Sequence, residues 1–350
     1  PRVGMQRGGF SSPCQARFCI TEHSLRSFLR PIFDYNQAIY GSNVNKYKCI
    51  RKMAKVSSEL SRLPLFGCLT GVELQSEQVD VCRGIKFRRN YVDMFGATML
   101  AFSPPENVNT HHPAPWVAVQ GGFTFESRVE VSFTDLEEFN NLSPTAMAWL
   151  IAAILRLQMM SPVRMAVLAK VPFHQMKEAN MRANPVAFER SDQQIGAFKE
   201  PIAIMTEQDI DWLRVTLPIA ANLYHEERFY RAFSMYDQAQ WSPTLEMSVV
   251  LIWTAIETLF DLSDRREKTK AISRALSDFI GIDRSDKDRA YQVIQDQYYK
   301  RGRVVHIGAN VSIDDALQTH QFAKVAFRRV LLDGTLPLVE KLKDEPKKAN

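Results

Sequence analysis

The sequence predicts an α+β protein: an N-terminal mixed domain with a small antiparallel sheet, then an all-α C-terminal bundle. Three observations predict it. Short β-branched and aromatic segments separated by Pro, Gly and Asn fill residues 67–135. A long apolar stretch bounded by prolines follows at 144–162. After Pro201 the pattern is helical to near the end, with no strand signal.

Taken in order, residues 1–20 are rich in Gly, Ser and Arg and read as poorly ordered. From "EHSLRSFLRPIFDYNQAIY" to about Leu63 the pattern is helical, interrupted at Pro31 and around Gly41-Ser42-Asn43. "VDVCRGIKFRR", "ATMLAFS", "PWVAVQGGFTFES" and "RVEVSF" then read as strands of a mainly antiparallel sheet. Ser143-Pro144 opens the apolar helix, with serine as N-cap and proline at the first helical position. That stretch is as long as a short membrane span, but Arg156 inside it and Pro at both ends predict a buried helix and no membrane. The segment from Pro172 to Pro201 reads as loop-rich.

Beyond it, Thr206-x-x-Asp209 resembles a capping box and starts "DIDWLRVTLPIAANLYHEERFYRAFSMYDQA". Four more helical runs follow: "SPTLEMSVVLIWTAIETLFDL", "REKTKAISRALSDFIGI" with Gly281 as C-cap, "SDKDRAYQVIQDQYYKRGRVVHIG" ending near Gly308, and "SIDDALQTHQFAKVAFRRVLLDG". Five consecutive helices with short connections predict an antiparallel bundle. The domains expected are 21–200 (α+β) and 201–340 (helical), with a polar tail at 341–350.

A chain of 350 residues can bury two cores, and 45% hydrophobic with 24% charged residues is the balance of a globular protein. A net charge of +5 permits an acidic partner such as nucleic acid without requiring one. Five widely spaced cysteines (Cys14, Cys19, Cys49, Cys68, Cys82) and no secretory leader predict a reducing compartment, the cytoplasm, rather than a disulfide framework. Cys14-x4-Cys19 is a loose pair without a clear second, so no zinc site and no other cofactor is expected.

No phosphate loop, GxGxxG, GxSxG or HExxH is present. His225-Glu226 reads as a solvated helix face and His111-His112 as a surface loop. Basic and aromatic residues alternate in "CRGIKFRRNY", which can hold RNA but equally describes a half-buried strand with a charged outer face, the reading preferred here. "YYKRGRVVHIG", residues 298–308, is the most specific stretch. At about 100° per residue Arg301 and His306 lie roughly 140° apart on an ideal helix, whereas Arg303 shares the histidine's face. By spacing alone, His306 is a structural histidine.

The context changes that reading. Ala255, Glu257, Leu259 and Phe260 in "WTAIETLF" resemble the A-x-E-x-L-F helix of the Apea-like HEPN family. Tyr298, Arg301, Val305 and His306 resemble its Y-x-x-R-S-x-x-V-H-G motif. The resemblance covers about 205–335. Gly302 stands where the family has a small polar residue, and Ile307 separates His306 from Gly308 like a one-residue insertion in a tight turn.

The resemblance implies a metal-independent endoribonuclease serving phage defence or toxin-like growth arrest. Arg301 and His306 would be its catalytic pair and two copies would pair through the helical domain as a homodimer. Lys300 and Arg303 would hold the RNA backbone. Glu257, costly if unpaired in its apolar helix, is expected to pair with Arg274 or Arg301 and, with Tyr298, to support the site. The alternatives are a non-catalytic RNA- or nucleotide-binding module, or a dimerisation scaffold for a sensor within 21–200 acting with a regulatory partner.

Overall fold

The computed structural model describes residue 60 and residues 62–95, 99–101, 107, 117–119, 124–140, 142–159, 161–179, 185–189, 202–261, 267–281 and 283–337. The start expected to be poorly ordered, the helices expected before residue 60, Cys14, Cys19, Cys49, His111-His112 and the polar tail all lie outside them.

Mixed α+β architecture is what the chain adopts. Among the described residues the ten strands are β1 (Leu65–Thr70), β2 (Val72–Leu74), β3 (Gln78–Cys82), β4 (Ile85–Phe95), β5 (Met99–Ala101), β6 (Val117–Val119), β7 (Thr124–Phe133), β8 (Arg164–Ala169), β9 (Val186–Ala187) and β10 (Ala203–Met205). Six of them form an antiparallel sheet in the order β3-β4-β7-β1-β8-β9. The long β4–β7 pair carries alternating buried residues, Ile85 and Phe87 on one strand and Val129, Val131 and Phe133 on the other. Period-2 patterning made these strands legible. Strand β8 had no such signal. "RMAVLA" is buried at every position after Arg164, so it presents an apolar run without alternation, and only pairing to β1 decides that it is a strand.

The "CRGIKFRRNY" stretch lies on β3 and β4. Phe87 is fully buried, while Arg83 pairs with Asp135 at 3.0 Å, Lys86 with Asp80 at 3.2 Å and Arg89 with Glu77 at 3.0 Å. These charges are matched within the fold, which is the half-buried strand reading. Cys68 is a buried free thiol on β1, pushed up to about 11 chiefly by burial.

Helix α1 (Pro144–Met159) starts as expected, Ser143 Oγ accepting from the Ala146 N–H at 3.1 Å. It packs on the sheet and against α2 (Glu207–Leu223). Then follow α3 (Glu227–Ala239), α4 (Leu245–Leu259), α5 (Lys268–Ile280), α6 (Arg284–Ile307) and α7 (Ile313–Asp333). None of the helices among the described residues is long and apolar enough to cross a membrane.

Among the described residues, 207–333 hold six helices rather than the five expected. The run read as a single helix from 209 to 239 breaks at Tyr224–Glu226, so His225-Glu226 is a turn and not a helix face. The apolar stripe carries the reason. Ile210, Leu213, Leu217 and Ala220 are buried before the break and Phe229, Ala232, Phe233 and Tyr236 after it. On one continuous helix these sets would sit roughly 130° apart, more than a third of a turn, so no straight helix could bury both. Pro218 lies inside α2 without ending it. The Thr206–Asp209 capping box forms, with the Asp209 carboxylate accepting from the Thr206 N–H at 2.9 Å.

The two halves share one hydrophobic core. β10, past residue 200, pairs in parallel with β2. Arg156 joins them further. Its side chain is 0% exposed. Nε donates to Asp237 Oδ1 at 2.7 Å and Nη2 to Asp237 Oδ2 at 2.8 Å and Glu189 Oε1 at 3.0 Å. Nη1 reaches Glu189 Oε2 at 3.2 Å and the Val163 carbonyl. The Trp149 indole N–H and the Met165 N–H donate to the same carboxylates, at 3.0 Å and 2.6 Å. Removing the cation leaves two carboxylates buried without a counter-charge. Arg156→Met should therefore lose about 3–5 kcal/mol in urea unfolding followed by circular dichroism. A loss below about 1 kcal/mol would show that the cluster is not what joins α1 to α3.

Candidate functional site

The site is built where α4 and α6 pack together. α4 begins at Thr244, whose Oγ1 accepts from the Met247 N–H at 3.2 Å, and buries Val249, Ile252, Trp253, Ala255, Ile256 and Leu259. α6 begins at Asp283, which accepts from the Asp286 N–H at 2.9 Å, and ends on Gly308 in the left-handed region at φ 63°. Glycine is favoured there because a side chain would meet the backbone in that conformation. Ile307, between His306 and Gly308, is accordingly the last helical residue, 68% exposed, and lies on the helix rather than in a tight turn.

Glu257 receives two partners from α6. The Tyr298 hydroxyl donates to Glu257 Oε1 at 2.8 Å, and Arg301 Nη2 lies 3.2 Å from the same oxygen. The side chains of Arg301 and Glu257 are 20% and 15% exposed, so this ion pair is mostly shielded from water. Tyr298 packs edge-on to Trp253 with ring centroids 5.1 Å apart, and the Arg301 guanidinium sits 5.5 Å from the tyrosine ring centroid. Burial, and then the Glu257 charge, push the Tyr298 phenol up to about 12, so it stays a proton donor to the carboxylate. Of the two arginines expected for Glu257, Arg301 is the one it meets. Arg274 instead lies over the Tyr291 ring at 4.9 Å. Arg301 Nε is buried and has no hydrogen-bond partner among the described residues.

Lys300 points elsewhere. Its Nζ is 2.8 Å from both Asp296 and Asp315, and Gln297 Nε2 donates to Asp315 at 2.7 Å. These bonds, Lys300 first, hold the Asp315 carboxyl down at about 2. Lys300 thus ties α6 to the first turn of α7 and carries little free charge for a phosphate. A cleft of about 130 Å³ opens between α6, α4 and the loop entering α7, lined by Val249, Lys300, Arg301, Arg303, Asn310 and Asp315 among others.

His306 does not line that cleft. It is exposed on the last turn of α6, beside exposed Arg303 and following Tyr299 by two turns. Within one chain, therefore, the fold brings Arg301, Glu257 and Tyr298 together, sets exposed Arg303 among the residues that line the cleft, and leaves His306 away from it on the same helix. A Cβ added at Gly302 would meet nothing within 4 Å, so a small polar residue there would face open space. Asp315 and Asn310 had no local signal in the sequence. Each joins the cleft only because α7 packs back across α6.

Chemically, the arrangement offers an oriented guanidinium beside a cleft, an exposed imidazole and one exposed arginine. Among the described residues no group of three or more His, Cys, Asp or Glu side chains gathers as a metal ion would need. Compared with protein families, curated proteins and solved structures, the chain matches none.

A third histidine of the helical half, His320 on α7, is buried against Tyr236, ring centroids 5.1 Å apart. Burial first and nearby Lys324 second push its imidazole down to about 4. An unfolded histidine takes its proton near 6.5, so stability from this residue is complete above that pH and is lost as pH falls from about 6.5 to 4. The loss amounts to about 3 kcal/mol over that window. Urea midpoints measured from pH 7 to 4 should fall in the wild type and flatten in His320→Phe. An unchanged slope in the variant would assign the effect to other groups.

Proposed function

We propose that the chain is a metal-independent endoribonuclease of the Apea-like HEPN type, with residues 201–340 as its HEPN-like bundle. The Arg301–Glu257–Tyr298 arrangement carries the reading. A guanidinium held by a carboxylate and a phenol is aimed before substrate arrives, and its planar fork suits a phosphate as an ammonium would not. His306 is exposed on the last turn of α6, open to solvent and to RNA. In the reaction the ribose 2′-oxygen attacks phosphorus and gives its proton to an imidazole. The phosphorus–O5′ bond breaks, and a second imidazole protonates O5′. The products are a 2′,3′-cyclic phosphate and a 5′-hydroxyl, and Arg301 stabilises the charge that builds on the phosphoryl oxygens. DNA lacks the attacking hydroxyl.

Arg301 and His306 face different sides of α6, and each chain has one such histidine, so the working unit is a homodimer. A second copy, docked through the exposed face bearing Tyr299, Arg303, His306 and Ile307, sets one chain's imidazole near the other's. The setting is cytoplasmic, in phage defence or growth arrest. A second reading has its own support: Glu257 already neutralises Arg301, and His306 stands apart from it, as in a module that binds RNA without cutting.

His306→Ala should lower cleavage of total RNA in EDTA by about 10²-fold or more. Its circular dichroism should stay unchanged, because the side chain is exposed. Wild-type cutting by this variant would sink the nuclease, and binding without cutting by the wild type would favour the module. Arg301→Lys should be nearly as impaired, since it keeps charge but not bidentate geometry. Specific activity and native mass, followed together on dilution, should fall together. Full activity in a monomeric sample would end the dimer.

A further inference from the structure

We infer that the cleft beside Arg301 is a pocket for a single nucleobase, that of a nucleotide next to the phosphate the arginine engages. This deepens the RNA-directed reading above and rests on it. The argument begins with charge. Lys300 is matched by Asp296 and Asp315, and Arg301 by Glu257, so the cleft interior holds little unbalanced positive charge. Asp315, held ionised by Lys300 and Gln297, would repel a phosphate pushed inside. The lining cation with no acidic partner among the described residues is Arg303, which is exposed. Anions are favoured outside, and a neutral group within.

The walls suit a flat neutral ring. Val249, Val304 and Val311 supply aliphatic surface, and Ala309 adds a small apolar side chain. Asn310 is exposed, lines the same cleft and has no side-chain hydrogen bond among the described residues. Its amide offers one donor and one acceptor side by side, the pairing that reads a base edge. Size gives the third constraint. The cleft is about 130 Å³. A water occupies about 30 Å³ of liquid, and drug-sized ligands sit in pockets of about 300–1,000 Å³. The space therefore takes a ring and leaves sugar and phosphate outside, against Arg301 and Arg303. Unstacked bases of single-stranded RNA are taken in this way, by contact with a ring face and hydrogen bonds to an edge.

The test uses 2′-O-methyl RNA trinucleotides, whose blocked 2′-oxygen prevents cutting. Each base in turn is replaced by an abasic residue, and affinity is read by NMR titration of the full chain. In the wild type one position alone should lose roughly 5- to 150-fold on base removal, the range found for single base contacts. In Val304→Phe, whose ring fills the cleft while Arg301 and Arg303 remain, that loss should shrink below about twofold. Asn310→Ala, on an exposed loop and without a side-chain hydrogen bond to lose among the described residues, should level the differences among the four bases at that position. Equal losses at all three positions, an unchanged pattern in both variants, or no trinucleotide binding would each overturn the pocket. Position-specific binding by a protein that cuts no RNA would keep the pocket and remove the nuclease. Cutting with no dependence on any base would do the reverse.

Discussion

One guanidinium that water does not reach sets the geometry of this protein. The five N–H groups of Arg156 meet acceptors from Asp237, Glu189 and the Val163 carbonyl, and the remaining carboxylate lone pairs take the Trp149 and Met165 N–H groups. Taking three charges out of water is costly, and the cost is offset only where every donor and acceptor finds its partner. That condition holds for one placement of α1 relative to β8, the 185–189 segment and α3. With α3 set, α4 packs on it, and α6 packs on α4. The site inherits its geometry through that chain of contacts.

Three cations close together on α6 meet three different fates. Arg301 is turned inward and shared between Glu257 and the face of Tyr298, so it is oriented but partly neutralised. Lys300 bridges two carboxylates and acts as a clasp between α6 and α7. Arg303 is left to solvent. Spacing explains the division: neighbours along a helix are about 100° apart, so consecutive residues cannot share an environment. A basic run in a sequence is thus not a basic patch until its acids are known.

Much of the fold was legible. Alternation marked β4 and β7, Ser143-Pro144 and Thr206-x-x-Asp209 marked helix starts, and Gly308 marked a helix end, because each signal is local and acts through neighbouring backbone groups. Strand β8 and the break after Leu223 were not legible. The first has no alternation, and the second lacks a breaker residue: it follows from a shift in the buried stripe that is meaningful only once the core is known. At the site, Glu257 stood out as a carboxylate in an apolar helix, and its need for a cation could be stated in advance. Which arginine answered it could not, since Arg274 and Arg301 were equally available by sequence.

What the sequence by itself determined is the class of most segments, the α+β architecture and the residue types gathered in "YYKRGRVVHIG", all consequences of propensity, capping and period. What only the tertiary structure decided is which of those residues face one another. Arg301 turned toward Glu257, Lys300 toward Asp315, and His306 away from both, because pairing depends on packing between segments 15 to 44 residues apart and on the burial that makes an unmatched charge costly. Local sequence carries no record of that distance.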